Sequence, residues 1–372
     1  MTIVNGRDFF IQWRVTERCN QSCPGCPLLG SSIGEMSFED IAAGVNEIML
    51  TLNQWQRELH LHFTPIFFLE GGEPLVRDDI FEIIRLMRRH GTVYILSNGT
   101  LIDRRAACRL AESGANGVQI LLEGMAEVHD DICGAGSFQD AVEGIRRLLA
   151  ADISVTINMV LSRHNIHCIP DMVALAGNLG VQRLGFSRSL PPPGGKIAGP
   201  TMLDREEVVK VYQSLFSVSI PGLEIITGDP VAAQLHASAH KCDDRLPFAG
   251  CAAGISSLNI LADGTMTPCR RLEIPVGNVR TDSINLVWKS SEVLGNLRDR
   301  KKYSGECANC GHWTDCRGCR GVAYAWSKAN GCDDYLAEDP QCTLISNDGS
   351  AAILPHRGGK YVVQSRPRGH GQ

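Results

Sequence analysis

Between residues 8 and 230, short apolar runs alternate with helical patterns six times, and this alternation leaves the chain few folds to choose from. The runs lie at 9–15, 66–70, 93–96, 117–122, 154–161 and 183–187. Each is followed by a turn and then by a segment of helical periodicity, at 38–59, 79–90, 104–113, 138–151, 170–179 and 205–216. A strand that reaches the next strand through a helix runs parallel to it, and the crossover is right-handed. The runs are almost wholly apolar, as strands covered on both faces are. The fold class expected is α/β, a partial (βα)6 TIM-type barrel, with working residues at the C-terminal strand ends. Ser37 with Asp40 three residues on reads as a helix cap and its reciprocal partner, and Gly91 as the end of the second helix.

The run Pro191-Pro192-Pro193-Gly194-Gly195 breaks this pattern, and from about Lys241 the texture changes to cysteines, glycines and short strands. The expected organisation is a barrel over 1–235, a small cysteine-rich C-terminal α+β domain over 236–345, and a flexible tail over 346–372. Thirty-six basic against 41 acidic residues give a net charge of −5, so no basic field invites nucleic acid. No apolar run approaches the roughly 18 residues of a membrane span. Cysteine is the outlier: there are 15, and twelve lie in 19–26 or beyond residue 240. An odd, clustered set of thiols points to the reducing cytoplasm and to metal or iron–sulfur ligation rather than disulfides.

Cys19, Cys23 and Cys26 form C-x3-C-x2-C directly after the first strand. Three thiolates without a near fourth suit a four-iron cluster with one iron open to a ligand; three ligands of a zinc ion with a distant fourth fit the x3 spacing less well. Gly71-Gly72-Glu73-Pro74 follows the second strand, and Ser97-Asn98-Gly99-Thr100 ends the third. Together these stretches resemble the radical SAM enzymes. The resemblance implies a cluster on Cys19, Cys23 and Cys26 whose free iron chelates S-adenosylmethionine, and reductive cleavage to a 5′-deoxyadenosyl radical that abstracts hydrogen from a substrate. It implies cofactor contacts from Gly71, Gly72, Glu73 and Pro74, the glycines allowing close backbone approach and the carboxylate accepting from an ammonium group. Asn98 is either a polar contact near the ligand or part of a simple turn. The chain departs from the family pattern at Gly25, where an aromatic residue is usual, and at Leu121 and Cys133, where serine and arginine are usual.

The second thiol group comprises Cys251, Gly264 before Cys269, Cys307-x2-Cys310-x5-Cys316-x2-Cys319 and Cys342. A zinc ribbon would explain two C-x2-C pairs but not seven thiols. The layout resembles the SPASM extension of radical SAM enzymes, which implies two auxiliary four-iron clusters. By that resemblance Cys307, Cys310, Cys316 and Cys342 hold one, and Cys251, Cys269 and Cys319 hold the other. Cys242 is the candidate for its fourth ligand, and without it that cluster keeps an open site. Cys332 is the alternative to Cys342. Arg188, at the end of the sixth strand, can bind a substrate carboxylate or be solvated, and Asp229 reads as a turn residue.

The function these features imply is a radical SAM oxidoreductase or maturase acting on a ribosomally made peptide or protein side chain by crosslinking, oxidation or decarboxylation. Action on a small metabolite or a tetrapyrrole is the alternative, and a multi-cluster electron-transfer protein is the alternative of another class. Expected partners are the peptide, a separate leader-peptide-binding protein and an electron donor such as flavodoxin or ferredoxin. Anaerobic sulfatase maturases, which carry an aspartate after the cysteine of the G-x4-C element, fit less well, because Arg270 stands there. No acid–base pair stands out as catalytic.

Overall fold

The computed structural model describes residues 6–24, 26–30, 33–191, 202–235, 250–344 and 362–363. By packing, the chain divides into two units, 1–157 with 256–295 and 158–255 with 296–372.

In the first unit, β1 (Gly6–Thr16), β2 (His62–Gly71), β3 (Thr92–Ser97) and β4 (Gly117–Leu121) run parallel in that order. They are connected by α1 (Phe38–Leu59), α2 (Ile80–Arg88) and α3 (Arg104–Glu112). α4 (Ala126–Cys133) and α5 (Ser137–Ala150) then lead to β5 (Val155–Leu161), which carries the chain into the second unit. The α/β class and parallel strands expected from the sequence are thus present, with α4 as an additional helix.

Side chains on a strand alternate between its faces. Ile11, Trp13 and Val15 of β1, Phe67 and Leu69 of β2, and Val93 and Ile95 of β3 are all buried. Each such side chain contributes about 1.5–3 kcal/mol. The opposite face is mixed: Phe68 stacks on Tyr94 with centroids 5.4 Å apart, and one layer further on Arg14 pairs in register with Glu70 and Leu96 with Gln119. α1 buries Ile41, Val45, Ile48, Leu52 and Trp55, the three-and-four spacing of one helical face. Its start is the expected box, with the Asp40 N–H donating to Ser37 Oγ (3.1 Å) and the Ser37 N–H to Asp40 Oδ2 (3.4 Å).

Gly91 has a different role from the expected helix cap. α2 ends at Arg88, and a Cβ on Gly91 would lie 2.1 Å from the Pro65 carbonyl oxygen, so the glycine is needed for close backbone approach. The sheet also extends on the far side of β1. β8 (Ser257–Ile260) pairs parallel with β1, β9 (Thr265–Thr267) pairs antiparallel with β8, and β10 (Gly277–Asn278) with β9. α8 (Ile284–Ser290) then returns to α1, where the Trp55 indole N–H donates to Asn285 Oδ1 at 2.9 Å.

In the second unit, β6 (Arg183–Arg188), β7 (Glu224–Thr227) and β11 (Val362–Val363) are parallel. α6 (Ile169–Leu179) and α7 (Arg205–Ser217) accompany them. α9 (Glu292–Arg298) re-enters this unit, and the cysteine-bearing turns lead to α10 (Arg320–Ala329). Among the described residues, no helix is long and apolar enough to cross a membrane.

Candidate functional site

The loop after β1 carries all three cysteines of the first group. Cys19 is exposed, and Cys23 and Cys26 are half-buried. The loop is fastened at both ends by the chain itself. Thr16 Oγ1 donates to Glu35, Arg18 pairs with the same carboxylate at 2.9 and 3.2 Å, and Arg77 donates to the carbonyls of Val15 (2.7 Å) and Met36 (3.1 Å). Donors face the sulfurs: the Gln21 N–H lies 3.4 Å from Cys19 Sγ, and the Asn98 amide nitrogen 3.9 Å from it. The Asn98 orientation is set by Thr100, whose N–H and hydroxyl both donate to Asn98 Oδ1 at 2.9 Å. The Cys133 side chain, as a partner of the Cys23 sulfur, holds the Cys23 thiol below its usual range, which favours the thiolate that metal ligation needs. Cys133, standing at the family's usual arginine position, is buried, with its carbonyl 3.8 Å from Cys23 Sγ.

The Gly-Gly-Glu-Pro turn locks onto this loop. The Gly72 N–H donates to the Thr16 carbonyl (3.0 Å) and the Glu73 N–H to the Arg18 carbonyl (2.9 Å). A Cβ on Gly71 or Gly72 would fall 2.2 Å from Thr16 O or 2.3 Å from Arg18 O, so both glycines serve contact with the cysteine loop. Glu73 is fully buried and turns inward. Its carboxylate accepts from the N–H of Leu75 (3.1 Å) and of Asn98 (2.8 Å) and from the Ser97 hydroxyl (3.0 Å). Pro74 opens the short turn Pro74–Val76. Glu73 therefore splints the turn after β2 to the turn after β3. Burial pushes its carboxyl up to about 7, against the pull of those donors. Glu73→Gln leaves one backbone N–H facing an amide NH2. The expected cost is about 1–3 kcal/mol, read as a lower Tm together with a raised KM for S-adenosylmethionine.

Two further residues have structural work that the sequence did not disclose. The Glu123 N–H donates to His129 Nδ1 (3.1 Å), and Asp130 accepts from the N–H of Gly136 and Phe138 (both 2.8 Å), shaping the turn between α4 and α5. On the mixed face of the sheet, Arg270 donates to Glu70 at 3.0 Å and Arg14 to Glu273 at 2.5 Å.

In the second unit, Cys307, Cys310, Cys316 and Cys342 line one cavity. The exposed Cys332 is not among its lining residues. Thiolates of a single tetrahedral zinc ion lie about 3.8 Å apart. Among the described residues, no three Cys, His, Asp or Glu side chains are grouped to hold one ion. Four thiols around a larger space suit a polynuclear cluster. Charge agrees: Arg320 is 1 % exposed, and among the described residues its Nε and Nη2 have no hydrogen-bond partner, which an anionic cluster would offset. Cys319 caps the N-terminus of α10, where the helix dipole favours a thiolate, and the Cys251 N–H donates to the Cys316 carbonyl at 2.9 Å. Cys269 belongs to the first unit, in the turn after β9, and Cys242 lies outside the described residues.

Arg188 is neither solvated nor free for a substrate. It is 1 % exposed, and its guanidinium bridges Asp229 and Asp339, with 2.8 Å to Asp229 Oδ1 and 2.9 and 3.0 Å to the Asp339 oxygens. Asp339 also accepts from the Cys319 N–H (2.8 Å), and its carbonyl from the Cys342 N–H (3.0 Å). This buried ion network therefore braces the cysteine-bearing turns.

Comparison with known proteins identifies the family. The model of the radical SAM superfamily matches residues 13–176, and that of the SPASM iron–sulfur cluster-binding domain matches residues 251–311. The chain is 30% identical over 319 residues to the mycofactocin maturase MftC of Mycobacterium ulcerans, covering 83% of this chain and 81% of that protein. It is 28% identical over 361 residues to the AdoMet-dependent heme synthase of Oleidesulfovibrio alaskensis, covering 92% and 89%. The fold is shared with native anSMEcpe solved with AdoMet and the Cp18Cys peptide (TM-score 0.69, 18% identity, 90% of this chain and 94% of that one). It is shared as well with Streptococcus suis SuiB bound to S-adenosylmethionine (TM-score 0.68, 16% identity, 91% and 78%). The chain therefore belongs to the radical SAM superfamily, as an enzyme that binds S-adenosylmethionine and iron–sulfur clusters and carries a SPASM domain.

Proposed function

We propose that this enzyme modifies a ribosomally made peptide or protein side chain by hydrogen abstraction. The observation that carries the chemistry is the interlock of the Cys19–Cys23–Cys26 loop with the Gly71–Pro74 turn and with Asn98, whose amide faces Cys19. Cys19, Cys23 and Cys26 hold the cluster that binds S-adenosylmethionine. Cys307, Cys310, Cys316 and Cys342 hold one auxiliary cluster, and Cys251 and Cys319 belong to a second. When bound, the first cluster supplies the electron for reductive cleavage of S-adenosylmethionine and, with it, the hydrogen-abstracting 5′-deoxyadenosyl radical. The protein fixes the loop, keeps the Asn98 amide aimed at Cys19 and packs Glu73 away from solvent.

A peptide substrate is supported by the mycofactocin maturase relatives and by the fold shared with SuiB, which has also been solved with its precursor peptide SuiA. A leader-binding protein and a flavodoxin or ferredoxin donor complete the reading. The test is anaerobic reconstitution followed by reductant, S-adenosylmethionine and short peptides encoded near the gene. A mass change in a peptide, matched to 5′-deoxyadenosine, is expected.

A second reading has its own observation. Arg14 and Arg270 stand on the mixed face of the sheet, paired with Glu273 and Glu70, and can exchange those partners for substrate carboxylates. Tetrapyrrole side chains carry such groups, and the heme synthase relatives share this length of chain. Turnover of a tetrapyrrole with every peptide left unchanged replaces the first reading by the second.

A further inference from the structure

We propose that Gln234 donates N–H···S hydrogen bonds to Cys316 and Cys342 and thereby sets the reduction potential of the auxiliary cluster these cysteines hold. The inference rests on the reading that Cys307, Cys310, Cys316 and Cys342 ligate one cluster.

Gln234 stands in the short helical turn Pro230–Leu235, directly after Asp229 of the Arg188 network. Its amide has a defined orientation. The Thr343 N–H and hydroxyl both donate to Gln234 Oε1, at 3.0 and 2.6 Å. A backbone N–H can only donate, so the oxygen must face Thr343. The amide nitrogen is then left facing the sulfurs, 3.1 Å from Cys316 Sγ and 3.6 Å from Cys342 Sγ. Thr343 is the residue after Cys342, so the element that supplies a thiol also aims the amide at it. Cys316 Sγ accepts in addition from the Gly318 N–H at 3.2 Å, and Cys310 Sγ from the His312 N–H at 3.4 Å. Those two are backbone donors, which side-chain substitution leaves in place. Gln234 is a side-chain donor whose removal changes the field at two sulfurs together.

The direction follows from charge. Reduction adds an electron to an already anionic cluster. Donors to the sulfurs stabilise the more negative state and raise the potential. Gln234 is accordingly a positioning and tuning residue, without contact to the reacting carbon.

The experiment uses the full chain, reconstituted anaerobically, with iron and sulfide counted and the clusters titrated potentiometrically by electron paramagnetic resonance. Cys316→Ala identifies the wave to follow, as the one lost together with one cluster's iron. In Gln234→Leu, iron stays at the wild-type level and that wave moves negative, by about tenfold in the redox equilibrium or 59 mV for one electron. Gln234→Glu keeps the acceptor for Thr343 but replaces the N–H donors by a charged oxygen, and shifts the wave further in the same direction. A wave that stays in place or moves positive in iron-replete variants overturns the proposal. Loss of this iron from both variants overturns it too, making Gln234 a structural prop. Full iron in Cys316→Ala refutes the cluster assignment itself and the proposal with it, a result distinct from an unmoved wave.

Discussion

Replacing Cys19, Cys23 and Cys26 together by alanine is expected to abolish 5′-deoxyadenosine formation and to remove about four iron atoms per chain. The iron of the second thiol group should remain. The fold around the loop should survive, because its anchors are not thiols. Arg18 and Thr16 hold Glu35, Arg77 holds the backbone at both ends, and Gly72 and Glu73 donate to Thr16 and Arg18. The variant should therefore keep a near-wild-type Tm while losing all cleavage of S-adenosylmethionine. Asn98→Ala, which removes one donor and leaves three thiols, should lower the rate without removing iron. Iron retained at wild-type level in the triple variant, or undiminished cleavage, would refute the assignment of the site.

Arg188→Met should be among the most destabilising single changes in the second unit, at about 3–5 kcal/mol. The methionine fills much of the same space, so the loss is electrostatic. Asp229 and Asp339 would stay buried, facing each other without the guanidinium between them. Tyr212, whose hydroxyl donates to Asp229 at 2.8 Å, cannot neutralise that charge. Converting both aspartates to asparagine in the Arg188→Met background should recover part of the loss, measured by urea unfolding. The pH dependence has a definite sign. Burial raises the Asp339 carboxyl, but Arg188 and the N–H donors of Cys319 and Gln341 outweigh it and hold the group below the usual carboxylate range. A carboxyl held low in the folded state stabilises the fold above its unfolded value of about 4, and this contribution fades as the pH falls below that value. In Arg188→Met this acid-side slope should flatten. A slope and midpoint equal to wild type would show that the network contributes nothing to stability.

The two experiments probe parts of the chain that were unequally legible in the sequence. The first thiol group was legible because its geometry is local: three cysteines within eight residues, on a loop opened by a strand and closed by a capped helix. The role of Glu73 was half legible. Its motif marks a turn, but whether the carboxylate faces a ligand or the chain depends on β3, which brings Ser97 and Asn98 to it from 24 and 25 residues away. Arg188 was not legible at all. Nothing near a strand-end arginine announces a partner 151 residues further on.

By itself the sequence determined the six strand–helix units, the cap at Ser37, and the thiol spacings, since hydrophobic period, caps and short loops act over a few residues. Only the tertiary structure decided that β8 continues the sheet beside β1, that Gly91 clears Pro65, that Arg188 joins two carboxylates, and that Gln234 turns its amide to two sulfurs. These are contacts between residues far apart in the chain, and their energies depend on which buried polar groups meet once the water between them has gone.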